Sequence, residues 1–457
     1  MKVIICGAGQ VGFGIARQLA VEQNTVTVVD QSADLIRKIS DQLDVRGIVG
    51  HGSHPDILDR AGASDADMLV AVTFFDEVNM VACQVAHSIF NVPTKIARVR
   101  AQSYLLPIWQ DLFSRDHMPI DVIISPELEV AKSVLRRLRV PGAFESISFA
   151  DDKVQMIGVR LEDDCPIVNT PLNQLSELFP DLEIVVVGIS REGKMFVPDK
   201  SDQMVVGDDV YFIVGTDRVR RALDVFGHEE KEARRIILIG GGNIGLYVAQ
   251  QLEQIGNGVR VKIIEADKKR AERAADGLER TVVLHGDGLD EELLREAGVH
   301  EAEAVVALTN DDETNILTSL ISKRLSGQRA LTLVNNANYE PLIRSLGIDA
   351  AIDPRATTVS TILQHVRRGR ILGLYSVHGG AAEVIEAEAL ETSQMVGAPL
   401  RDVDLPDGII VGAIVRGDQF ITPRGDTEVE TGDRVVLFAQ AEMIRKVEQL
   451  FRVSPFF

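Results

Sequence analysis

Cysteine is nearly absent from this sequence: Cys6, Cys83 and Cys165 are the three present in 457 residues. Their wide separation gives neither a metal-ligand spacing nor a disulfide framework, and such usage predicts a reducing, cytoplasmic compartment. Positive charge is in deficit as well. The 48 Lys and Arg face 68 Asp and Glu, a formal net charge of −20. That balance argues against a nucleic-acid surface and against general adhesion to anionic lipid, although a local basic face is compatible with it. No apolar run approaches the roughly 18–20 residues that a spanning helix needs. Met1 leads directly into a strand pattern, so no signal peptide is expected. The G-x-x-x-x-G-K-[ST] phosphate loop is also missing, which argues against an NTP-hydrolysing enzyme. What is present is apolar content, 45% of the chain, enough for several cores. The length implies more than two domains at about 100–200 residues each.

The strongest local pattern is Val3-Ile4-Ile5-Cys6-Gly7-Ala8-Gly9-Gln10-Val11-Gly12. A β-branched run feeds three glycines spaced G-x-G-x-x-G, and an amphipathic run at 15–19 reads as the start of a helix. Gly7 suits the tight strand-to-helix turn, Gly9 lets the backbone approach a pyrophosphate, and Gly12 lets helix and strand pack closely. The N–H groups and dipole at such a helix start favour an anion. A second strand then ends on Asp30, placed to accept hydrogen bonds from ribose hydroxyls and to repel a 2′-phosphate. The same acid can equally be a solvated strand end, and the glycines can serve packing alone.

Strand-like runs at 68–73, 95–99 and 121–124 alternate with helical patterns at 35–42, 56–62 and 78–90. This alternation predicts an α/β domain with a doubly wound parallel sheet. A helix opens at Pro126 and closes at Pro141-Gly142. From Ala143 the period changes to short strand-like segments, at 146–149, 155–160, 183–190 and 210–214, around one helix at 171–178. These imply a small α+β domain. The charged run 228–232 reads as a linker.

The whole arrangement then repeats. Gly240-Gly241-Gly242-Asn243-Ile244-Gly245 restates the glycines, and a following strand ends on Glu265, placed like Asp30 to accept from ribose hydroxyls and to repel a 2′-phosphate. His51 corresponds to Asp287 inside matching glycine turns, and Thr73 to Thr309 at the ends of matching apolar runs. Gly188 in the small domain corresponds to Gly412, and Gly207-Asp208 to Gly432-Asp433. The expected boundaries are 1–125 and 233–352 for two Rossmann-like domains, with 143–228 and 371–457 for the small domains.

This order of motifs resembles the RCK (regulator of potassium conductance) family, whose nucleotide-binding domain is followed by a smaller C-terminal domain. Two such pairs without a membrane span are similar to the peripheral subunits of Trk-type potassium-uptake systems. The resemblance implies a regulatory protein rather than an enzyme, binding NAD(H) or the adenine nucleotides ATP and ADP. It further implies a homo-oligomeric ring, held peripherally on the cytoplasmic face of the inner membrane by a potassium-transporting integral membrane subunit. Carried over by position, the first site uses Gly7, Ala8, Gly9, Gln10, Val11, Gly12, Asp30, Thr73 and Arg98. The second uses Gly240, Gly241, Gly242, Asn243, Ile244, Gly245, Glu265, Asp287 and Thr309.

Each assignment has a plainer counterpart. Thr73 and Thr309 either border the ligand crevice at strand ends or cap the next helix. Asp287 contacts the adenosine or makes an Asx turn. Arg98, which has no arginine counterpart in the second copy, meets phosphate or pairs with a nearby acid. On this reading only the first site offers an arginine to phosphate. His51 and His54 lack a third metal ligand. Arg367-Arg368-Gly369-Arg370 faces an acidic partner or phospholipid, or is a solvated connector. The apolar run at 104–113, at roughly helical spacing, is expected to be a helix in contact with a neighbouring domain. An NAD-dependent oxidoreductase is the alternative function, but it needs a general acid or base beside the nicotinamide, and the small domains repeat no such group.

Overall fold

Two kinds of sheet alternate along the chain. A computed structural model describes residues 1–451 apart from 180, 230–231, 257, 327–328, 367–370 and 378–379. The first part contains β1 (Lys2–Cys6), α1 (Gln10–Val21), β2 (Thr25–Asp30), α2 (Ala33–Gln42), β3 (Arg46–Val49), α3 (Pro55–Arg60), β4 (Met68–Ala71), α4 (Asp76–Ser88), β5 (Thr94–Arg98) and β6 (Val122–Ile124). Its strands form a parallel sheet in the order β3-β2-β1-β4-β5-β6. β1 and β4 are buried on both faces, as a sheet covered by helices on each side requires.

After α5 (Pro126–Arg139) come β7 (Ala143–Phe149), β8 (Val154–Arg160), α6 (Leu172–Leu178), β9 (Val185–Arg191), β10 (Lys194–Phe196), β11 (Asp209–Gly215) and α7 (Val219–Val225). The five strands are antiparallel in the order β10-β9-β11-β8-β7. The parallel plan then returns with β12 (Arg235–Ile239), α8 (Asn243–Ile255), β13 (Arg260–Glu265), α9 (Lys268–Asp276), β14 (Val282–His285), α10 (Glu291–Glu296), β15 (Ala304–Ala307), α11 (Asp312–Ser326), β16 (Arg329–Leu333), α12 (Glu340–Ser345) and β17 (Ala350–Ile352). Its order, β14-β13-β12-β15-β16-β17, is that of the first sheet. α13 (Pro354–Val366) leads to β18 (Ile371–Val377), β19 (Ala382–Glu388), β20 (Ile409–Arg416), β21 (Gln419–Ile421), β22 (Arg434–Gln440) and α14 (Ile444–Leu450), with sheet order β18-β19-β22-β20-β21. The expected fold class holds: two Rossmann-like domains, each followed by a small α+β domain.

The chain divides into two compact units, one of residues 1–131 with 353–366, the other of residues 132–352 with 367–457. Within the first unit α13 packs on α1. The contact is close, because a Cβ on Gly14 would meet Val359 Cγ2 at 2.9 Å.

Within the second unit the two antiparallel sheets share one core, in which Ile147, Met156 and Ile213 lie with Val384, Ala413 and Phe438. A Cβ on Gly188 would meet Phe438 Cζ at 2.6 Å, and one on Gly412 would meet Ile213 Cδ1 at 2.2 Å. Gly188 and Gly412 are repeat partners, so each sheet opens a hole for the other's side chain at the same position. Each sheet also fastens its Gly-Asp turn alike: Arg191 donates to Asp208 through Nε and Nη2, and Arg416 to Asp433 likewise, at 2.8–2.9 Å.

One expectation fails. The 104–113 run is not an α-helix but two 3-10 segments, Gln102–Leu105 and Pro107–Phe113. Pro107 holds Leu106 extended (ψ 134°) and breaks the helical register. Tyr104, Leu105 and Phe113 pack inward, while Ile108 and Trp109 stand 73% and 53% exposed. Residues 230–231 of the expected linker and the Arg367-Arg368-Gly369-Arg370 run lie outside the described residues.

Candidate nucleotide sites

Each glycine of the first motif has a separate physical reason. Gly7 has φ +117°, a conformation that disfavours any L side chain. A Cβ on Gly12 would sit 1.8 Å from Gly7 O, so the helix could not start where it does. Gly9 is different: its φ is an ordinary −66°, and a Cβ there would meet no atom of the chain within 4 Å. Neither strain nor packing demands glycine at Gly9, and what its hydrogen preserves is room for something outside the chain. α1 begins at Gln10 with no side-chain cap, so the early N–H groups, with Gln10 and Val11 in the first turn, are presented at its start. The second motif repeats this. Gly240 has φ +107°, a Cβ on Gly245 would lie 2.0 Å from Gly240 O, and Gly242 again has open space. Asn243 and Ile244 open α8, which also lacks a side-chain cap.

The strand-end acids tie into these turns. Ala8 N–H donates to Asp30 Oδ2 at 2.7 Å and Ser32 N–H to Oδ1 at 2.8 Å. Gly241 N–H donates to Glu265 Oε2 at 2.7 Å and Asp267 N–H to Oε1 at 2.9 Å. The longer Glu265 side chain is 4% exposed as a residue and carries an ion pair: Arg270 Nη2 lies 3.0 Å from Oε1. An arginine therefore stands beside Glu265, at a position the sequence reading did not single out. It lies five residues beyond the acid on a helix turn, whereas that reading compared strand positions alone.

Thr73 and Thr309 follow β4 and β15 and are bound into identical latches. Thr73 N–H and Oγ1–H both donate to Asn79 Oδ1, at 2.8 and 2.7 Å, while Asn79 Nδ2 donates to the carbonyls of Thr73 and Arg98. Asn315 does the same for Thr309 and for the carbonyl of Leu333. Both asparagines are fully buried. A second buried acid completes each latch: Asp76 accepts N–H groups of Arg100 and Ala101, and Asp312 those of Asn335 and Asn336. The sequence reading assigned none of these four residues to a site. Their signal was nonetheless present, because Thr-x-x-Asp-x-x-Asn occurs at 73–79 and again at 309–315.

The latches also fix the register between copies and place Leu333 at the position of Arg98. Arg98 Nε is buried with no hydrogen-bond partner among the described residues. Burial, and then the neighbouring Arg100 charge, push its guanidinium pKa down against the pull of Glu127 and Asp76. Beside it Arg100 donates to Glu127 Oε1 at 2.9 Å and lies over the Phe74 ring. In the glycine turns, Leu289 N–H donates to Asp287 Oδ1 at 3.0 Å, which is an Asx turn. His51 takes that place in the first copy, its Nδ1 2.8 Å from Ser53 Oγ and its ring stacked on His54. Cys6 is buried beneath the motif with its thiol pKa pushed up to about 12, an inert packing residue.

All the candidate residues of each site therefore gather at the carboxyl ends of adjoining parallel strands, where open α/β sheets form ligand crevices. The class so defined is a tandem of two Rossmann-type domains, each with a small antiparallel partner. The TrkA-N domain family matches residues 3–126 and 236–354, and the TrkA-C domain family matches 156–227 and 384–452. The Trk system potassium uptake protein TrkA of Azorhizobium caulinodans is 59% identical over 99% of both chains. Its namesake from Vibrio alginolyticus is 41% identical over 100% of both. The chain belongs to the TrkA family. Among solved structures, the GsuK channel bound to NAD shares the fold with a TM-score of 0.60 at 17% identity, covering 98% of this chain and 78% of that one.

Proposed function

We propose that this chain is the nucleotide-binding regulatory subunit of a potassium-uptake transporter, with one site in each Rossmann-like domain. The observation that carries the reading is the pair Gly9 and Gly242, glycines that neither strain nor packing explains, each at an uncapped helix start. The relatives' names supply potassium uptake as the process. NAD(H), ATP and ADP are the proposed ligands. Gly7 to Gly12, Asp30, Thr73 and Arg98 serve one, and Gly240 to Gly245, Glu265, Asp287 and Thr309 the other. The domain limits proposed from sequence, 1–125, 143–228, 233–352 and 371–457, go with this reading.

The partner is an integral membrane subunit that conducts potassium. Among the described residues no helix is long and apolar enough to cross a membrane, so attachment at the cytoplasmic face runs through that partner. A homo-oligomeric ring is proposed, with the exposed Ile108 and Trp109 as part of its contacts. A ligand regulates such an assembly only through its different affinities for two states, about 1.4 kcal/mol for each tenfold ratio. The role is regulatory rather than catalytic.

The test is titration of the purified chain with NADH and ATP, followed by incubation of the NADH complex with a panel of reducible substrates. Two sites per chain and no turnover are expected. Sustained loss of nicotinamide absorbance would favour an oxidoreductase, and a monomer at micromolar concentration in light scattering would remove the ring.

A further inference from the structure

The corner around the strand-end acid differs between the two Rossmann-like domains far more than the glycine motifs do. In the first, the stretch Asp30–Leu35 carries two anions, Asp30 and Asp34, and no cation. Val49, the register partner of Asp30 on β3, is exposed and apolar. Asp30 accepts backbone N–H groups and has no ion pair among the described residues.

In the second, the first turn of α9 is Lys268-Lys269-Arg270, all three exposed, and His285 on β14 is the exposed register partner of Glu265. Glu265 is the natural deterrent to a phosphate here, yet its charge is already met. Oε2 is held by Gly241 N–H, and Oε1 by Asp267 N–H and by Arg270 through Nε at 3.1 Å. Arg270 approaches Oε1 with Nε and Nη2 while its side chain remains 55% exposed, leaving its outer N–H groups toward solvent. His285 Nε2 lies 3.2 Å from Ala266 O, which holds the imidazole against the same loop.

A phosphate esterified to the ribose 2′-oxygen of a nucleotide seated on such a motif lies next to the strand-end acid. Acceptance of it depends on an arginine at this place, and a planar guanidinium suits the phosphate geometry. We propose that the second domain takes a 2′-phosphorylated adenine dinucleotide, with Arg270 as the phosphate ligand and Lys268 and Lys269 in support, and that the first domain excludes it. This rests on the reading of the second domain as a nucleotide site, and it replaces the sequence expectation that Glu265 repels such a phosphate.

Calorimetric titration of the full chain with NADH and NADPH tests it, using the wild type, Arg270→Gln and the double variant Lys268→Ser/Lys269→Ser. The expected result is NADH at two sites per chain and NADPH at one. Arg270→Gln should weaken NADPH by about tenfold more than it weakens NADH. The lysine pair makes no ion pair among the described residues, so its loss should spare the fold and reduce NADPH affinity a few-fold, with a shallower salt dependence. Binding of NADH with no NADPH site overturns the proposal while sparing the proposed function. So does NADPH binding indifferent to all three side chains. Failure of NADH and NADPH alike to bind removes both.

Discussion

The two Rossmann-like domains have the same strand order, the same glycine geometry and the same Thr–Asn latch, but oppositely arranged charge. The first sets the half-buried Arg98 at the end of β5, its Nε unpartnered among the described residues, and its strand-end acid Asp30 has no ion pair among them. The second puts Leu333 in that place and gathers its cations at the acid, around Glu265. On the proposed function, a phosphate chain crossing the helix start would lie near the first location, and the adenosine ribose near the second. The scaffold is thus the same where backbone geometry is at stake, and the two copies differ in the charge they set around it.

The sharpest way to break the comparison is to strike the shared scaffold. Gly12→Ala and Gly245→Ala each drive a methyl into a carbonyl oxygen, at 1.8 and 2.0 Å, and should each destabilise by about 3 kcal/mol. Each should also remove one nucleotide site per chain. Urea denaturation together with binding stoichiometry checks this, and loss of only one domain's site by either variant is the expected sign that the sites are independent.

Next come the latches. Asn79→Ala and Asn315→Ala leave buried Thr N–H and carbonyl groups unpaired, and each should cost about 2 kcal/mol in denaturant melts. Equal losses support equivalent scaffolds. A loss confined to one copy would mean that the latch had become dispensable in the other.

Arg98→Met sharpens the electrostatic contrast. It removes a half-buried guanidinium whose Nε has no hydrogen-bond partner among the described residues, so stability should hold, while ATP affinity at the proposed first site should fall about tenfold. The mirror substitution at Leu333 should leave ATP binding at the first site unaltered. The smallest effect belongs to Phe74→Ala, which removes the ring under Arg100 and should cost about 0.5–1 kcal/mol at this exposed position. No matching loss is expected at Asn310, which has no ring to offer.

Much of this was legible in the sequence because it is periodic or local. Glycine spacing, strand-end acids and the change of period at Ala143 report backbone requirements that act within a few residues. Internal repetition let each copy validate the other, and a closer comparison would have exposed Asp76, Asn79, Asp312 and Asn315 as well. The 104–113 run was misread because helical spacing of apolar residues does not register the break that Pro107 imposes, nor which of them face outward.

The sequence alone settled the four-part order, the parallel sheets and the positions of both glycine turns, since hydrophobic period and turn chemistry are written residue by residue. Only the tertiary structure decided that α13 packs on α1 and that Gly188 and Gly412 are holes for side chains of the opposite sheet. It alone put Arg270 on Glu265 and buried Arg98 Nε with no partner among the described residues. Those facts depend on which side chains meet across distances the chain does not encode as spacing, and a guanidinium's charge matters only once its neighbours are known.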